Sequence, residues 1–135
     1  METTQEIKLI VYINLENRKD RRESIKGELK FFDSIIPIVR INANYKPKYG
    51  GLGCSLSHLT ALKYAKNNNF TNVLICEDDF VLYPEYKNNV SEIVNNAIRS
   101  VPDYDVIMFA SNTKTKSKYN EYVDKIIDAQ TRTAY

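Results

Sequence analysis

The chain has 135 residues, enough for one domain with an apolar core of its own. Nineteen Lys and Arg against 17 Asp and Glu leave a charge too near neutral to predict nucleic-acid or membrane binding. No apolar run approaches the ~20 residues that span a bilayer, and the start METTQEIK lacks the regions of a signal peptide. Two cysteines are too few for a disulfide framework. We therefore expect a single cytoplasmic domain over residues 1–135.

The first third of the sequence predicts a β-α-β unit. Residues 7–13 (IKLIVYI) form the β-branched apolar run that is typical of a strand buried on both faces. Residues 20–32 place three large apolar side chains on one helical face, and residues 35–41 form a second apolar run. Residues 43–53, with a proline and three glycines, are predicted to form a loop.

The middle of the chain repeats this alternation. Residues 56–67 predict a helix that stops at a run of asparagines, and residues 72–76 predict a third strand. Pro84 suits the first turn of a further helix, which carries apolar residues at helical spacing between Val90 and Ile98.

The last third gives weaker signals. Residues 106–110 predict a fourth strand, residues 111–119 a polar irregular segment, and residues 122–127 a short strand. Strands that alternate with helices predict an α/β fold with a mostly parallel sheet. Such sheets bind ligands beyond the carboxyl ends of their strands, which directs attention to three segments.

The first segment is acidic. Glu77, Asp78 and Asp79 directly follow the strand predicted over 72–76. In an extended backbone Glu77 and Asp79 face one side and Asp78 the other. Carboxylates this close in partial burial must raise their pKa values, pair with cations, or bind a metal such as Mg²⁺ or Mn²⁺. The alternative is that they solvate the strand end or cap the next helix. Three acids in a row after a buried strand favour a metal or ligand site.

The second segment is basic. Residues 14–23 (NLENRKDRRE) contain four Lys and Arg residues at the predicted start of a helix, where the macrodipole is already positive. A phosphate group would offset this charge by using free backbone N–H groups and the arginine side chains. The alternative is a solvated basic surface in which Asp20 and Glu23 compensate locally.

The third segment is glycine-rich. Residues 50–58 (GGLGCSLSH) lead into the second predicted helix, and either serine of this stretch can cap it. His58 can bind substrate, act as a base, or satisfy a hydrogen bond in the core. Cys54, His58 and Cys76 lack the spacing of a closed four-ligand zinc site. The stretch matches neither a Walker A motif nor a dinucleotide fingerprint, which argues against conventional ATP or NAD binding.

Together these segments resemble glycosyltransferase family 25, the group that includes lipopolysaccharide-biosynthesis and procollagen-galactosyltransferase-like proteins. The resemblance rests on residues 10–23, 53–62 and 73–80, with weaker echoes at 107–112 and 131–135. It implies a GT-A fold, which is a Rossmann-like nucleotide-binding sheet flanked by helices. It also implies a UDP-linked sugar donor and an acidic metal motif of the DxD type.

The resemblance assigns roles to the acidic segment. Glu77 and Asp79 match the outer positions of the metal motif. Asp79, a candidate catalytic residue, would most directly hold Mn²⁺ or Mg²⁺, and Glu77 or Asp78 would contact the ribose or the metal-bound waters.

The other two segments receive roles in the same way. Asn14, Arg18 and Arg21 match the donor-binding segment that follows the first strand of the family. Ser57 and His58 match its SH pair. We therefore expect Ser57 to bind the nucleotide sugar and His58 to be a candidate catalytic residue.

The implied activity is transfer of a hexose, galactose or glucose, from a UDP-sugar to a hydroxyl acceptor on a glycan, lipopolysaccharide or protein. Two departures keep a second hypothesis open. The acidic residue that often precedes the family's GC pair is Gly51 or Leu52 here, and family members usually run well beyond the position of Tyr135. The alternative is a catalytically incomplete nucleotide-sugar-binding module. A receiver-like phosphoacceptor domain is disfavoured because its acidic pair should follow the first strand, where the sequence reads NLEN.

Overall fold

The computed structural model describes residues 5–134, and within that range the side chains of residues 111, 112 and 130–134 are not described. The elements in chain order are β1 (Ile10–Asn14), α1 (Lys19–Leu29), β2 (Ile38–Asn42), α2 (Gly50–Asn67), β3 (Leu74–Glu77), a 3-10 turn (Pro84–Tyr86), α3 (Val90–Ser100), β4 (Ala110–Lys118) and β5 (Asp124–Ala134).

One sheet contains all five strands, in the order β2-β1-β3-β5-β4. β1 pairs in parallel with both β2 and β3, whereas β5 runs antiparallel to β3 and to β4. Three parallel strands flanked by helices confirm the predicted α/β class and are consistent with a Rossmann-like domain. The predicted β-α-β unit is also confirmed, because β1, α1 and β2 form it.

The core lies on both faces of the sheet, because alternate side chains of each buried strand point in opposite directions. On one face Ile10 and Tyr12 of β1 pack in a cluster with buried residues of α1 and α3. On the other face Val11 and Ile13 pack with Ala61 of α2. α1 and α2 therefore cover opposite faces. β1 lies between β2 and β3, so its carboxyl end is the topological switch point of the sheet.

The second helix begins earlier than the sequence predicted. Residues 43–53 were expected to form a loop, but α2 starts at Gly50 and its N-cap residue is Tyr49, so neither serine of the stretch caps it. A tertiary contact explains why residue 53 is a glycine. A Cβ atom on Gly53 would lie 2.6 Å from the backbone oxygen of Asn44, so the helix approaches the loop after β2 too closely for any side chain.

The helix predicted to start at Pro84 is two elements. Pro84 begins a 3-10 turn that ends at Tyr86, and α3 begins separately at Val90 with Asn89 as its N-cap residue. Asparagine side chains compete for backbone hydrogen bonds and so favour helix ends over helix interiors, and Asn88 and Asn89 stand at this break.

The end of the chain also differs from the prediction. The fourth strand was expected over 106–110, but β4 starts at Ala110 and includes the polar stretch that was predicted to be irregular. β5 continues well past the predicted range 122–127, to Ala134. The sequence of β4 is polar and therefore does not predict a strand. It forms one because it pairs with β5, and strand preference depends strongly on such context. The weak echo at 131–135 falls on β5 and on Tyr135, which lies outside the described residues.

Within residues 5–134, none of the helices is both long enough and apolar enough to cross a bilayer.

We expect Gly53→Ala to destabilise the fold, because its methyl group would meet a backbone oxygen that cannot move without shifting the loop after β2. The free energy of unfolding should fall by about 1–3 kcal/mol, measured by urea denaturation followed by circular dichroism. Gly51→Ala is the matched control, since a Cβ atom there meets nothing within 4 Å. It should leave stability unchanged or raise it by up to about 1 kcal/mol. Equal effects of the two changes would contradict the close approach at Gly53.

Candidate functional site

Asn14, the last residue of β1, organises the carboxyl edge of the sheet. It is 1% exposed. Its Nδ2 group donates to the backbone oxygen of Arg18 at 3.1 Å and to Oδ2 of Asp78 at 2.8 Å. Its Oδ1 atom accepts from Nε of Arg22 at 3.2 Å and from Nε of Arg40 at 3.1 Å. Both amide hydrogens and both lone pairs are therefore used, which makes Asn14 a positioning residue for this edge.

Asp78 is held between two elements by this arrangement. Its Oδ2 atom accepts from Asn14, and its Oδ1 atom lies 3.3 Å from Nη1 of Arg21 on α1. The side chain of Arg21 is 46% exposed, whereas that of Asp78 is mostly covered. The structure thus brings together three of the predicted site residues and leaves the guanidinium of one of them within reach of solvent.

Arg18 has a local partner. Its guanidinium makes two hydrogen bonds to the carboxylate of Asp20, at 2.9 and 2.8 Å. The hydrogen bond to Asp20 raises the pKa of Arg18, and the same bond holds the pKa of Asp20 below its usual range. This is the local compensation that the sequence offered as the alternative reading of the basic segment. Both side chains are exposed, so the pair can open at little cost.

The three acidic residues separate into three environments. β3 ends at Glu77, and the N–H of Phe80 donates to the oxygen of Glu77 at 3.1 Å, which closes a turn over 77–80. Glu77 and Asp78 point to opposite faces, as the alternation predicted. Asp79 lies in the turn and is exposed, so the extended backbone assumed for it does not continue past Glu77.

Glu77 faces α2. Its Oε1 atom lies 3.0 Å from Nε2 of His58, and the thiol of Cys54 donates to the same oxygen at 3.4 Å. One donor atom from each of these three residues lies within 4.8 Å of the others. The side chain of His58 is 8% exposed, whereas Cys54 is exposed. A thiol, an imidazole and a carboxylate therefore meet where α2 passes the end of β3.

Ser57 makes contacts within the fold. Its hydroxyl donates to the backbone oxygen of Gly53 at 2.9 Å and accepts from the N–H of Asn44 at 2.7 Å. It is buried, and these bonds join α2 to the loop after β2. Its predicted role in nucleotide-sugar binding stays a prediction, because the contacts that the structure describes are structural.

The structure separates Cys76 from Cys54 and His58, so the zinc combination that the sequence argued against does not form. Cys76 is fully buried and packs in the core cluster with Tyr12, on the face opposite to α2. Burial raises the pKa of its thiol, which keeps it protonated. Glu77, one residue later and therefore on the other face, takes its place beside Cys54 and His58.

Arg40 is a site residue that the sequence reasoning missed. It lies on β2 opposite Tyr12 of β1, and its Nη2 atom donates to the backbone oxygen of Asn14 at 3.0 Å. The sequence signal that could have found it is the single charge of Arg40 in the otherwise uncharged strand IVRIN, because a cation in such a strand needs a hydrogen-bond partner nearby.

Two large cavities of the described chain lie elsewhere. Their volumes are about 800 and 1090 Å³, and they are lined at the amino ends of the strands, for example by Ile7 and Lys8. None of the predicted site residues lines either of them. The clustered polar groups lie instead at the carboxyl ends of β1 and β3, which is where a parallel α/β sheet binds its ligands.

Comparison with known proteins decides the family. The family model described as Glycosyltransferase family 25 (LPS biosynthesis protein) matches residues 8–133. The chain belongs to glycosyltransferase family 25. The recognition made from the sequence is thereby confirmed, and the matched range includes all the predicted site residues.

Individual relatives agree with the family match. A glycosyltransferase 25 family member of Drosophila melanogaster is 30% identical over 128 residues, covering 74% of this chain, and the one of Drosophila pseudoobscura pseudoobscura is 30% identical over 125 residues. The protein R655 of Acanthamoeba polyphaga mimivirus, named as a glycosyltransferase, is 30% identical over 105 residues, covering 63% of this chain. The chain spans 20% of the length of each Drosophila protein and 32% of the mimivirus protein.

We expect Asn14→Ala to destabilise this family 25 domain. Loss of the Asn14 amide would remove the hydrogen-bond partner that Oδ2 of Asp78 and the Nε atoms of Arg22 and Arg40 share. The free energy of unfolding should fall by about 2–4 kcal/mol in urea denaturation. Asn42→Ala is the matched control, because Asn42 is the exposed register partner of Asn14 on β2, and it should change stability by less than about 0.5 kcal/mol. A small effect at Asn14 would show that the edge does not depend on it.

Proposed function

We propose that this chain is the donor-binding part of a glycosyltransferase that binds a UDP-hexose at the carboxyl edge of β1 and β3. The observation that carries the proposal is the Asn14–Asp78–Arg21 arrangement at the switch point of the sheet, in a chain that belongs to family 25. The activity would be transfer of galactose or glucose to a hydroxyl acceptor on a glycan, lipopolysaccharide or protein.

The charge at this edge supports binding of a diphosphate. Three arginine side chains contact this edge directly: Arg21 bonds to Asp78, and Arg22 and Arg40 bond to Asn14. Arg18 contacts Asn14 through its backbone oxygen, and its side chain bonds to Asp20. Arg18 and Arg21 are the exposed members, and their partners are the carboxylates of Asp20 and Asp78. A diphosphate can compete for both guanidinium groups, because phosphate accepts two parallel hydrogen bonds from arginine. The Arg18–Asp20 pair is exposed and therefore weak, and the Arg21–Asp78 contact is long, at 3.3 Å. The start of α1 adds the positive end of its dipole.

The acidic segment fits the hard divalent ion that the family implies, Mn²⁺ or Mg²⁺. Mg²⁺-type sites use one or two carboxylates and complete the octahedron with water and substrate phosphate. Asp79 is the exposed carboxylate of the three and is the residue that we assign to this ion. Glu77, the other ligand predicted from the sequence, faces α2 and contacts His58 and Cys54 instead. When bound, such an ion neutralises the charge that develops on the leaving nucleoside diphosphate. In this chain, Asn14 and Arg21 fix the adjacent Asp78, which supports a ribose or water contact for that residue.

His58 supports the site indirectly in this proposal. Its side chain is nearly buried and its Nε2 atom is held against Glu77 at 3.0 Å. A general base must reach the hydroxyl that it deprotonates, so the geometry supports a positioning role for His58 rather than contact with the acceptor.

The direct test is calorimetry of the purified chain with UDP, UDP-glucose and UDP-galactose, with and without Mn²⁺. We expect binding that strengthens when Mn²⁺ is present. No metal-dependent binding of any of the three would refute the proposal. Binding without release or transfer of the sugar would support the alternative, a catalytically incomplete nucleotide-sugar-binding module.

Two substitutions sharpen the test. Arg21→Ala should weaken UDP binding about 10- to 100-fold, because a charge-assisted hydrogen bond contributes about 1.5–3 kcal/mol. Asp79→Asn should remove the effect of Mn²⁺ and leave metal-free UDP binding in place. Lys116→Gln is the control for loss of a positive charge, since Lys116 pairs with Asp124 in the β4–β5 hairpin. Equal losses in Arg21→Ala and Lys116→Gln would show that only net charge matters.

A further inference from the structure

We propose that Cys54, His58 and Glu77 form a second, separate metal site, which takes a transition-metal ion of the Zn²⁺ type and joins α2 to the end of β3. The inference does not depend on the glycosyltransferase activity. It starts from three unlike donor groups that meet at one point of the described chain.

The distances suit a tetrahedral ion. Zinc bonds of about 2.0–2.3 Å at tetrahedral angles place neighbouring ligand atoms about 3.4–3.6 Å apart. The structure has Nε2 of His58 at 3.0 Å and Sγ of Cys54 at 3.4 Å from Oε1 of Glu77, with all three atoms within 4.8 Å of one another. Shifts of a few tenths of an ångström at the carboxylate, and closure of the thiol toward the imidazole, would complete the geometry.

The local structure explains why these residues meet. Cys54 and His58 are four residues apart on α2, so they lie on the same face of the helix, one turn from each other. Two ligands at this spacing on one helix are a known arrangement for zinc. Glu77 shares the face of β3 that carries Ile75, which packs in the core cluster with Ala61 of α2. The packing of α2 on this face therefore delivers the third ligand.

The donor types distinguish this site from the acidic turn. Thiolate and imidazole select zinc and similar ions, whereas carboxylate and water suit Mg²⁺ and Mn²⁺. Three protein ligands with an open fourth position are typical of zinc sites that keep a water molecule. Cys54 is exposed and Glu77 is partly exposed, whereas His58 is buried, so the site is open to solvent at Cys54.

A nucleophilic thiol relay is the competing reading of the same three residues, and the geometry argues against it. In such a relay the imidazole lies between the thiol and the carboxylate, because it must take the proton of the thiol. Here the carboxylate oxygen is the shared atom, in contact with both the thiol and the imidazole. A metal ion would replace these two contacts and hold the three donor atoms around itself.

The composition of the chain makes the test specific. His58 is the single histidine of the sequence, and the other cysteine, Cys76, is buried on the opposite face of the sheet. A histidine or thiolate signature of bound metal can therefore come from this site alone. After treatment with a chelator, the whole chain should bind one zinc ion, measured by competition with a chromogenic zinc indicator. Its melting temperature should rise with added zinc, because the ion binds the folded state.

Cobalt(II) supplies the ligand assignment. The cobalt-loaded chain should show the near-ultraviolet thiolate-to-cobalt absorption, and Cys54→Ser should abolish it. Loss of a residue that only hydrogen-bonds to a metal ligand weakens metal binding about 10- to 100-fold. Cys54→Ser and Glu77→Gln should each weaken zinc binding by more than this. No zinc binding by the wild-type chain, a cobalt spectrum without the thiolate band, or wild-type affinity in folded Cys54→Ser would each overturn the proposal.

Asp79→Asn is the matched control, since it removes a neighbouring carboxylate that the zinc site does not use. It should keep wild-type zinc affinity while it loses the effect of Mn²⁺ on UDP binding. Loss of zinc binding in Asp79→Asn would move the ion to the acidic turn and overturn the assignment. Failure of UDP binding with zinc binding intact would refute the proposed function alone, so the two proposals can fail independently.

Discussion

The carboxyl edge of this sheet depends on the buried amide of Asn14. A buried polar group must find partners for all its donors and acceptors, and a half-satisfied amide would destabilise the end of the central strand. Here the partners come from α1, from β2 and from the turn after β3, so one side chain fixes three elements. β1 is the strand that can do this, because it pairs with β2 on one side and β3 on the other.

That constraint decides how the acidic segment is accommodated. Three adjacent carboxylates would repel one another in a shared environment, and strand alternation followed by a turn separates them. Asp78 is drawn to the α1 face by Asn14 and Arg21, and Glu77 is drawn to the α2 face by His58. Asp79, in the turn, keeps its solvent. The electrostatic cost of the sequence EDD is thus reduced by geometry, without any of the three being buried alone.

The sequence was informative where periodicity carries the signal. The helix predicted over 20–32 placed Ile25, Leu29 and Phe32 on one face, and all three are buried, because amphipathic spacing reports burial. α1 ends at Leu29, however, so Phe32 is buried from just beyond the helix. The start of α2 was missed because the glycines suggested a loop. Gly53 is required by its close approach to the backbone oxygen of Asn44, which is a tertiary contact that no local sequence pattern reports. β4 was missed because polar strands lack an apolar alternation. At the site, the alternation along β3 shows that Cys76 and Glu77 point to opposite faces of the sheet. Glu77 is the one that meets Cys54 and His58, because α2 covers the face of β3 that carries Ile75. Which face α2 covers is known only from the tertiary structure.

The position of Asp79 follows from the residues before it. An exposed side chain in a turn has no packing to hold it, yet the backbone that carries it is fixed on both faces of the sheet, by Asn14 through Asp78 and by α2 through Glu77. The hydrogen bond from Phe80 to Glu77 closes the turn, and the ring of Phe80 is buried in the α1-side core cluster. An accessible carboxylate on a rigid backbone is the combination that a ligand-binding residue requires, since accessibility permits binding and rigidity limits the entropy lost on it. The same anchors connect the turn to α2, because Glu77, which contacts His58 and Cys54, is two residues before Asp79.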